Sequence, residues 1–242
     1  MAGRPELKST ALSAMRSEPR IGPYFKPALL EIDAEGVATI TAEVDSIAIK
    51  RLALKRLAAL PEVSGVVDRI RVRPVNRVSD DGIRDHLRKA YVQEPAFLGL
   101  TIRELVEGEP RLVREALPES TGEIVIEVVD GVVIVNGIVP TRASKRLAGV
   151  LAWWVPGARD VVNGIAVEPP EEDGPINIQG AVRVALEKDP LVDASQIRVG
   201  VRERTVHLTG LVRSDAARNA AEWDAWAVFG VDDVINDVQV GA

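Results

Sequence analysis

Few side chains in this sequence could do covalent or acid–base chemistry. There is no Cys, and the only two His are His86, in a charged helix-compatible stretch, and His207, between Thr205 and Thr209. Cysteine nucleophiles, disulfides and thiolate or His-rich zinc sites are thereby excluded or nearly so. Neither His has a sequence-level partner that would make it a general base. The acid pairs Glu171-Glu172 and Asp232-Asp233 fall in a linker and a turn, where solvation explains them, and no further oxygen ligands assemble around either. Phosphate-cradling loops, nucleophile elbows and dinucleotide fingerprints are absent. We expect no catalytic residue, no metal and no cofactor.

What remains is the chemistry of surfaces. Trp153 and Trp226 combine a broad apolar body with one N–H donor, which suits a lipid headgroup region or a protein contact. Lys50, Arg51 and Lys55 sit on one helix-compatible segment, and Arg69, Arg71 and Arg73 alternate on a strand-compatible one. Such a cluster could neutralise anionic headgroups at about 1 kcal/mol per basic side chain, although charge runs are commonly just solvated faces.

The elements that position these residues come from a repeat. "EGVATITAEVDSIAIKRLALKRLAALPEVSGVVDRIRV" from Glu35 aligns without a gap to "DGVVIVNGIVPTRASKRLAGVLAWWVPGARDVVNGIAV" from Asp130, at an offset of 95. "ERTVHLTGLVRSDAARNAAEWDAWAVFGVDDVINDVQV" from Glu203 follows at a further 73. Each copy reads as a strand, a Ser or Thr helix cap (Ser46, Thr141, Ser214), a helix ending near Pro61, Gly157 or Gly230, and a second strand. Strand, helix, strand in that order implies a right-handed parallel crossover. A further strand precedes it ("ALLEID", "EIVIEVV", "QIRVGV"), and before that a helix stops at Glu18-Pro19, Glu94-Pro95 or Asp189-Pro190.

The predicted fold class is therefore α+β: three tandem αββαβ modules, each a small mixed three-stranded sheet with helices packed on one face. Their predicted bounds are 1–74 (divergent), 75–170 and 171–242, separated by the linker-like "RPVNRVSDDG" and "EPPEEDGP". Apolar alternation predicts an inward face at Ala38/Val133/Val206, Ile40/Val135/Leu208 and Val44/Val139/Val212. At Ala42/Gly137/Gly210 between them, a small residue would let the crossover helix approach the sheet. The middle copy differs in carrying Val132, Ile134 and Ile138 on the opposite face as well, so that sheet is expected to be covered on both sides. The cover expected is the middle copy's insertion, 96–122, read as helical from Leu100, Ile102, Leu105 and Val106, or else a neighbouring repeat; the alternative is an open groove for a ligand or partner helix. On a helical wheel Trp153 and Trp226 occupy equivalent positions pointing away from their own sheets. Packing between repeats or subunits and direct contact with lipid or ligand both fit that placement.

The Gly-bearing strand, the capped helix with its central Ala (Ala53, Ala148, Ala221) and the closing "GARDVVNGIAV" and "GVDDVINDVQV" together resemble the BON domain, named for bacterial OsmY and nodulation proteins. The first copy departs most: Ala42 replaces the strand glycine, Glu43 follows it, and Asp68 stands where Asn163 and Asn236 stand. The resemblance implies a non-catalytic αββαβ module, commonly in tandem, that attaches to phospholipid or other envelope surfaces or binds ligands. The partners expected are an anionic phospholipid surface or a protein, a second copy of this chain included; ion or small-ligand sensing is the further alternative. With a net charge of −6 and a pI near 5.2, nucleic acid is not expected. No stretch reaches the roughly 20 apolar residues of a membrane span, and the first twenty residues lack the apolar core of an export signal. The expectation is a cytoplasmic protein, peripheral to the membrane at most.

Overall fold

The computed structural model describes residues 4–116 and 122–241. The chain divides into two compact units, residues 1–73 and 74–242.

The first unit runs α1 (Arg4–Arg16), β1 (Leu29–Ile32), β2 (Val37–Val44), α2 (Ile47–Ala58) and β3 (Gly65–Val72). β1 pairs antiparallel with β2, and β2 pairs parallel with β3. In the second unit come α3 (Asp80–Gln93), a 3-10 turn Pro95–Phe97, β4 (Leu100–Val106), β5 (Glu109–Arg114), β6 (Gly122–Val129), β7 (Val132–Val139), α4 (Arg142–Trp154), β8 (Asp160–Asn163) and β9 (Ala166–Val167). They are followed by α5 (Pro175–Lys188), a 3-10 turn Ala194–Gln196, β10 (Ile197–Arg202), β11 (Thr205–Val212), α6 (Asp215–Ala227) and β12 (Asp233–Val240). The described residues thus form a mixed α+β fold with sheets of three, six and three strands.

Local chemistry sets these boundaries. Ser46, Thr141 and Ser214 each accept a backbone N–H three residues on, from Ile49, Ser144 and Ala217, and so start α2, α4 and α6. Pro cannot continue α3 or α5, and the acid before it turns back: Glu94 accepts from the Ala96 N–H at 3.1 Å and Asp189 from the Leu191 N–H at 2.8 Å. On the middle strands β2, β7 and β11 the alternate residues expected to face inward are all buried beneath the crossover helices.

Three expectations are corrected here. The first concerns the insertion, whose residues 117–121 lie outside the described ones. It is not helical: β4 and β5 form an antiparallel hairpin through Glu107-Gly108, both at positive φ, the backbone of a tight two-residue turn. The burial alternates along β4, with Leu100, Ile102 and Glu104 inward, and β4 pairs parallel with β6. The hairpin therefore extends the sheet edgewise.

The second follows from the first. Because the insertion joins the sheet's edge, it does not cover the outer face, and Val129, Ile138 and Val162 remain exposed there.

The third concerns the strand glycines. Gly137 and Gly210 have φ of +125° and +147°. A Cβ would lie 2.1 Å from the Glu123 carbonyl oxygen of the neighbouring antiparallel strand β6, and 2.0 Å from that of Gln196, the residue leading into β10. The glycine is needed for the strand's own backbone and its sheet partner, not for the helix. Ala42 in the first unit is not among the positive-φ residues, which is why it is tolerated.

Candidate functional site

Within the second unit, α4 lies against both α5 and α6. Leu147, Ala148, Leu151 and Ala152 of α4 belong to the core over its own sheet. Arg146, Val150 and Trp153, spaced four and three residues apart, are buried on a different face. Trp226 is 1% exposed and Trp153 8%. Both indoles, placed by the helical wheel on the far side of their helices, are thus enclosed. They offer no surface to lipid.

Polar pairs cross the same contact. The Arg146 Nε donates to the Phe229 carbonyl at 2.9 Å and Nη2 to Asp173 Oδ1 at 2.7 Å, and Asp173 is thereby held below the usual carboxylate range against the opposing effect of burial. Lys145 lies 4.9 Å from the centre of the Phe229 ring, and burial with Arg142 and Arg146 nearby pushes its pKa down. Trp154 Nε1 donates to Asp224 Oδ1 at 3.0 Å. Asp224 is 1% exposed, and burial, reinforced by the charge of Asp189, pushes its pKa up to about 8. As a carboxylate its Oδ2 has no hydrogen-bond donor; as the acid it donates to Asp189. Lys188 Nζ reaches Glu94 Oε2 at 2.9 Å. Arg146, Trp154 and Asp224 were not singled out from sequence; the wheel position of Asp224, two residues before Trp226 on a helix, was the available signal.

In the first unit the proposed basic cluster is split. Lys50 is 6% exposed, donating to the Ile70 carbonyl at 2.7 Å and pairing with Asp68. It is therefore withdrawn from any headgroup. Arg51 and Lys55 lie on α2, which packs on the inner side of the sheet. Arg69, Arg71 and Arg73 alternate with buried Ile70 and Val72 and so project from the opposite side, beside Thr41 and Glu43 of β2. Arg73 Nη1 pairs with Asp45 at 2.7 Å and Arg71 Nη1 donates to the Ile70 carbonyl at 3.1 Å.

The Lys50–Asp68 pair also explains the divergence of the first copy. Asn163 Nδ2 donates to the Lys145 carbonyl at 2.7 Å, and Asn236 Nδ2 to the Arg218 carbonyl at 3.1 Å, while each Oδ1 accepts the N–H two residues on. Asp68 accepts the Ile70 N–H in the same way at 2.8 Å but cannot donate to a helix carbonyl. Lys50, at the position of Lys145 and Arg218, reaches across the gap instead.

His86 is exposed, its Nδ1 2.7 Å from the Gly82 carbonyl oxygen, and His207 lies on the open face of the third sheet. Among the described residues no group of three or more His, Cys, Asp or Glu is placed to hold a metal ion. No helix of the described residues is long and apolar enough to cross a membrane.

A family model described as the BON domain matches residues 111–169 and 177–242, more than half of the chain. The chain belongs to the BON domain family. Two solved structures of CdsD, a structural protein of the type III secretion system of Chlamydia trachomatis, are similar at low identity. One is 15% identical over 98% of this chain and 92% of that one with a TM-score of 0.24; the other, its C-terminal domain, is 14% identical over 100% of both with a TM-score of 0.25. At such TM-scores neither carries weight for fold or function. No curated protein matches the chain.

Proposed function

We propose that this chain is a non-catalytic, three-module BON protein that attaches peripherally to an anionic phospholipid surface, with residues 1–73 as the divergent first module and its open sheet face as the contact. The observation that carries this reading is the distribution of charge. Residues 1–73 hold 12 Lys and Arg against 9 Asp and Glu, whereas residues 74–242 hold 18 against 27. The acidic total that argues against anionic partners thus belongs to the second unit, and the first is net positive. On its open sheet face Arg69 and Arg73 are exposed and Arg71 half-buried, at alternate positions along the edge strand β3 and the residue that follows it. With Arg73 paired to Asp45 and Arg71 beside Glu43, the three contribute at most on the order of 3 kcal/mol near an anionic surface, about a hundredfold in affinity as the upper limit.

The test is co-sedimentation of the full chain with phosphatidylglycerol-containing vesicles. Binding at low salt that weakens at high salt, and that falls by ten- to a hundredfold in R69Q/R71Q/R73Q, is the expected result. Equal binding to neutral vesicles, or no loss in the triple variant, refutes it.

A scaffold role is the second reading. It is favoured by the exposed apolar outer face of the middle sheet, Val129, Ile138 and Val162, since such patches commonly mark protein contacts.

A further inference from the structure

The helices α5 and α6 pack against one side of the third sheet and leave the other side open. Charges on that open face are sorted by strand. One edge strand, β10, presents Arg198 and Arg202 with Gly200 between them; the other, β12, presents Asp233 and Asp237 with Ile235 between them. Two cations thus stand on one margin and two anions on the opposite one. Arg198, Arg202 and Asp237 are exposed and form no ion pair among the described residues. Along the middle strand β11 the same face shows only the uncharged or weakly basic Thr205, His207, Thr209 and Leu211, and the next residue of that alternation, Arg213, lies beyond the strand's end.

Such a face matches itself. Turned about a two-fold axis running along β11, a second copy lays its β10 over the first copy's β12, and each row of residues keeps its level. Arg198 shares a row with Thr209 and Asp237, and Arg202 with Thr205 and Asp233. Arg198 therefore meets Asp237 of the second copy and Arg202 meets Asp233, once on each side of the axis. In the row between, Ile235, 41% exposed, comes over Gly200 of the second copy. Gly200 is not at positive φ, and a Cβ there would make only ordinary contact with His207 at 3.9 Å, so nothing in its own chain requires the missing side chain. On the axis Thr205, His207 and Thr209 meet their own counterparts, and a hydroxyl or a neutral imidazole both donates and accepts, so each can pair with itself. Leu211, 54% exposed, meets its counterpart at one end. The other two-fold, across the strands, sets Arg on Arg and Asp on Asp, so charge selects the first.

We infer that the open face of the third sheet joins two copies of this chain, sheet against sheet, in a symmetric dimer. Three strands of about eight residues span roughly 350 Å² per copy, short of a permanent interface, so the dimer is weak and reversible. The contact lies wholly in the second unit. It uses neither the basic face of residues 1–73 nor lipid, and it stands or falls independently of bilayer attachment.

Sedimentation equilibrium of the full chain at concentrations up to about 1 mM tests the assignment. A monomer–dimer equilibrium that weakens as salt rises is expected. Arg198→Asp alone and Asp237→Arg alone each weaken association by at least about tenfold, whereas an equimolar mixture of the two variants associates as the wild type does, because the reversed charges then face each other. That recovery also shows both variants to be folded. Gly200→Leu fills the space taken by Ile235 of the second copy and weakens association without lowering the melting temperature. R69Q/R71Q/R73Q leaves association unchanged. A chain that stays monomeric throughout, an Arg198→Asp variant that still dimerises, a mixture that stays monomeric, or loss of the dimer in R69Q/R71Q/R73Q, which would put residues 1–73 of the second copy on this face, overturns the proposal.

Discussion

Replacing Asp224 by Asn is expected to stabilise the second unit by only about 1–2 kcal/mol at pH 5 and by on the order of 4 kcal/mol more at pH 8. The folded chain holds the Asp224 proton up to about pH 8, whereas an Asp in the unfolded chain releases it near pH 3.9. The folded state therefore binds the extra proton throughout that interval, and its stability falls as pH rises. Each pH unit within the window costs about 1.4 kcal/mol, so the wild type loses on the order of 4 kcal/mol between pH 5 and pH 8. Asn keeps an oxygen for Trp154 Nε1 and supplies an amide N–H toward Asp189, the arrangement the protonated acid makes, with nothing to ionise. The assay is urea unfolding at pH 5, 6.5 and 8 followed by tryptophan emission. All four Trp, at 153, 154, 223 and 226, lie in the second unit, so the signal reports that unit alone. A wild type whose unfolding midpoint is as insensitive to pH as that of D224N, or a D224N chain less stable at pH 8, refutes the reasoning.

Three further substitutions probe how the repeats are built. Asn163→Asp removes the donor to the Lys145 carbonyl, and because Lys145 lies over Phe229 instead of reaching back as Lys50 does, nothing replaces it; a loss of about 1–3 kcal/mol in the same urea assay is expected, and a neutral result contradicts the pairing argument. Gly137→Ala forces a Cβ against the Glu123 carbonyl at positive φ and should cost about 2 kcal/mol or more, whereas Ala42→Gly in the first unit, followed by circular dichroism, should cost no more than about 1 kcal/mol; a mild Gly137→Ala would show that the strand glycine is there for another reason.

The repeat and its caps were legible in sequence because both are local. Ser46, Thr141 and Ser214 act on an N–H three residues away, and alternation on β2, β7 and β11 needs only a strand's period. The hairpin at 100–114 was misread because Glu104 occupies an inward position and interrupts the apolar alternation that marks a strand. Its carboxylate is sheltered by Arg88 of α3 at 3.5 Å, a partner that only the fold supplies. The two-residue turn Glu107-Gly108 was the signal that remained.

For the candidate site the limit was distance along the chain. The wheel placed Trp153 and Trp226 on the far side of their helices, but it could not show that α4, α5 and α6 pack together and that both indoles are buried. Lys50 read as one of a basic run because Asp68, 18 residues on, gives no local sign of pairing with it. Arg146 and Asp224 owe their character to Phe229, Asp173, Trp154 and Asp189, each more than 25 residues away along the chain.

The claim that the open sheet face of residues 1–73 meets the anionic surface can be tested by position. The chain contains no Cys, so one environment-sensitive fluorophore can be attached without background at Thr41→Cys, beside Arg69 on that face, or at Thr209→Cys on the open face of the third sheet. On addition of phosphatidylglycerol vesicles at low salt, a blue shift at position 41 that salt reverses, with none at 209, is predicted. A shift at 209 alone, or at neither position while the protein sediments with the vesicles, would contradict the account.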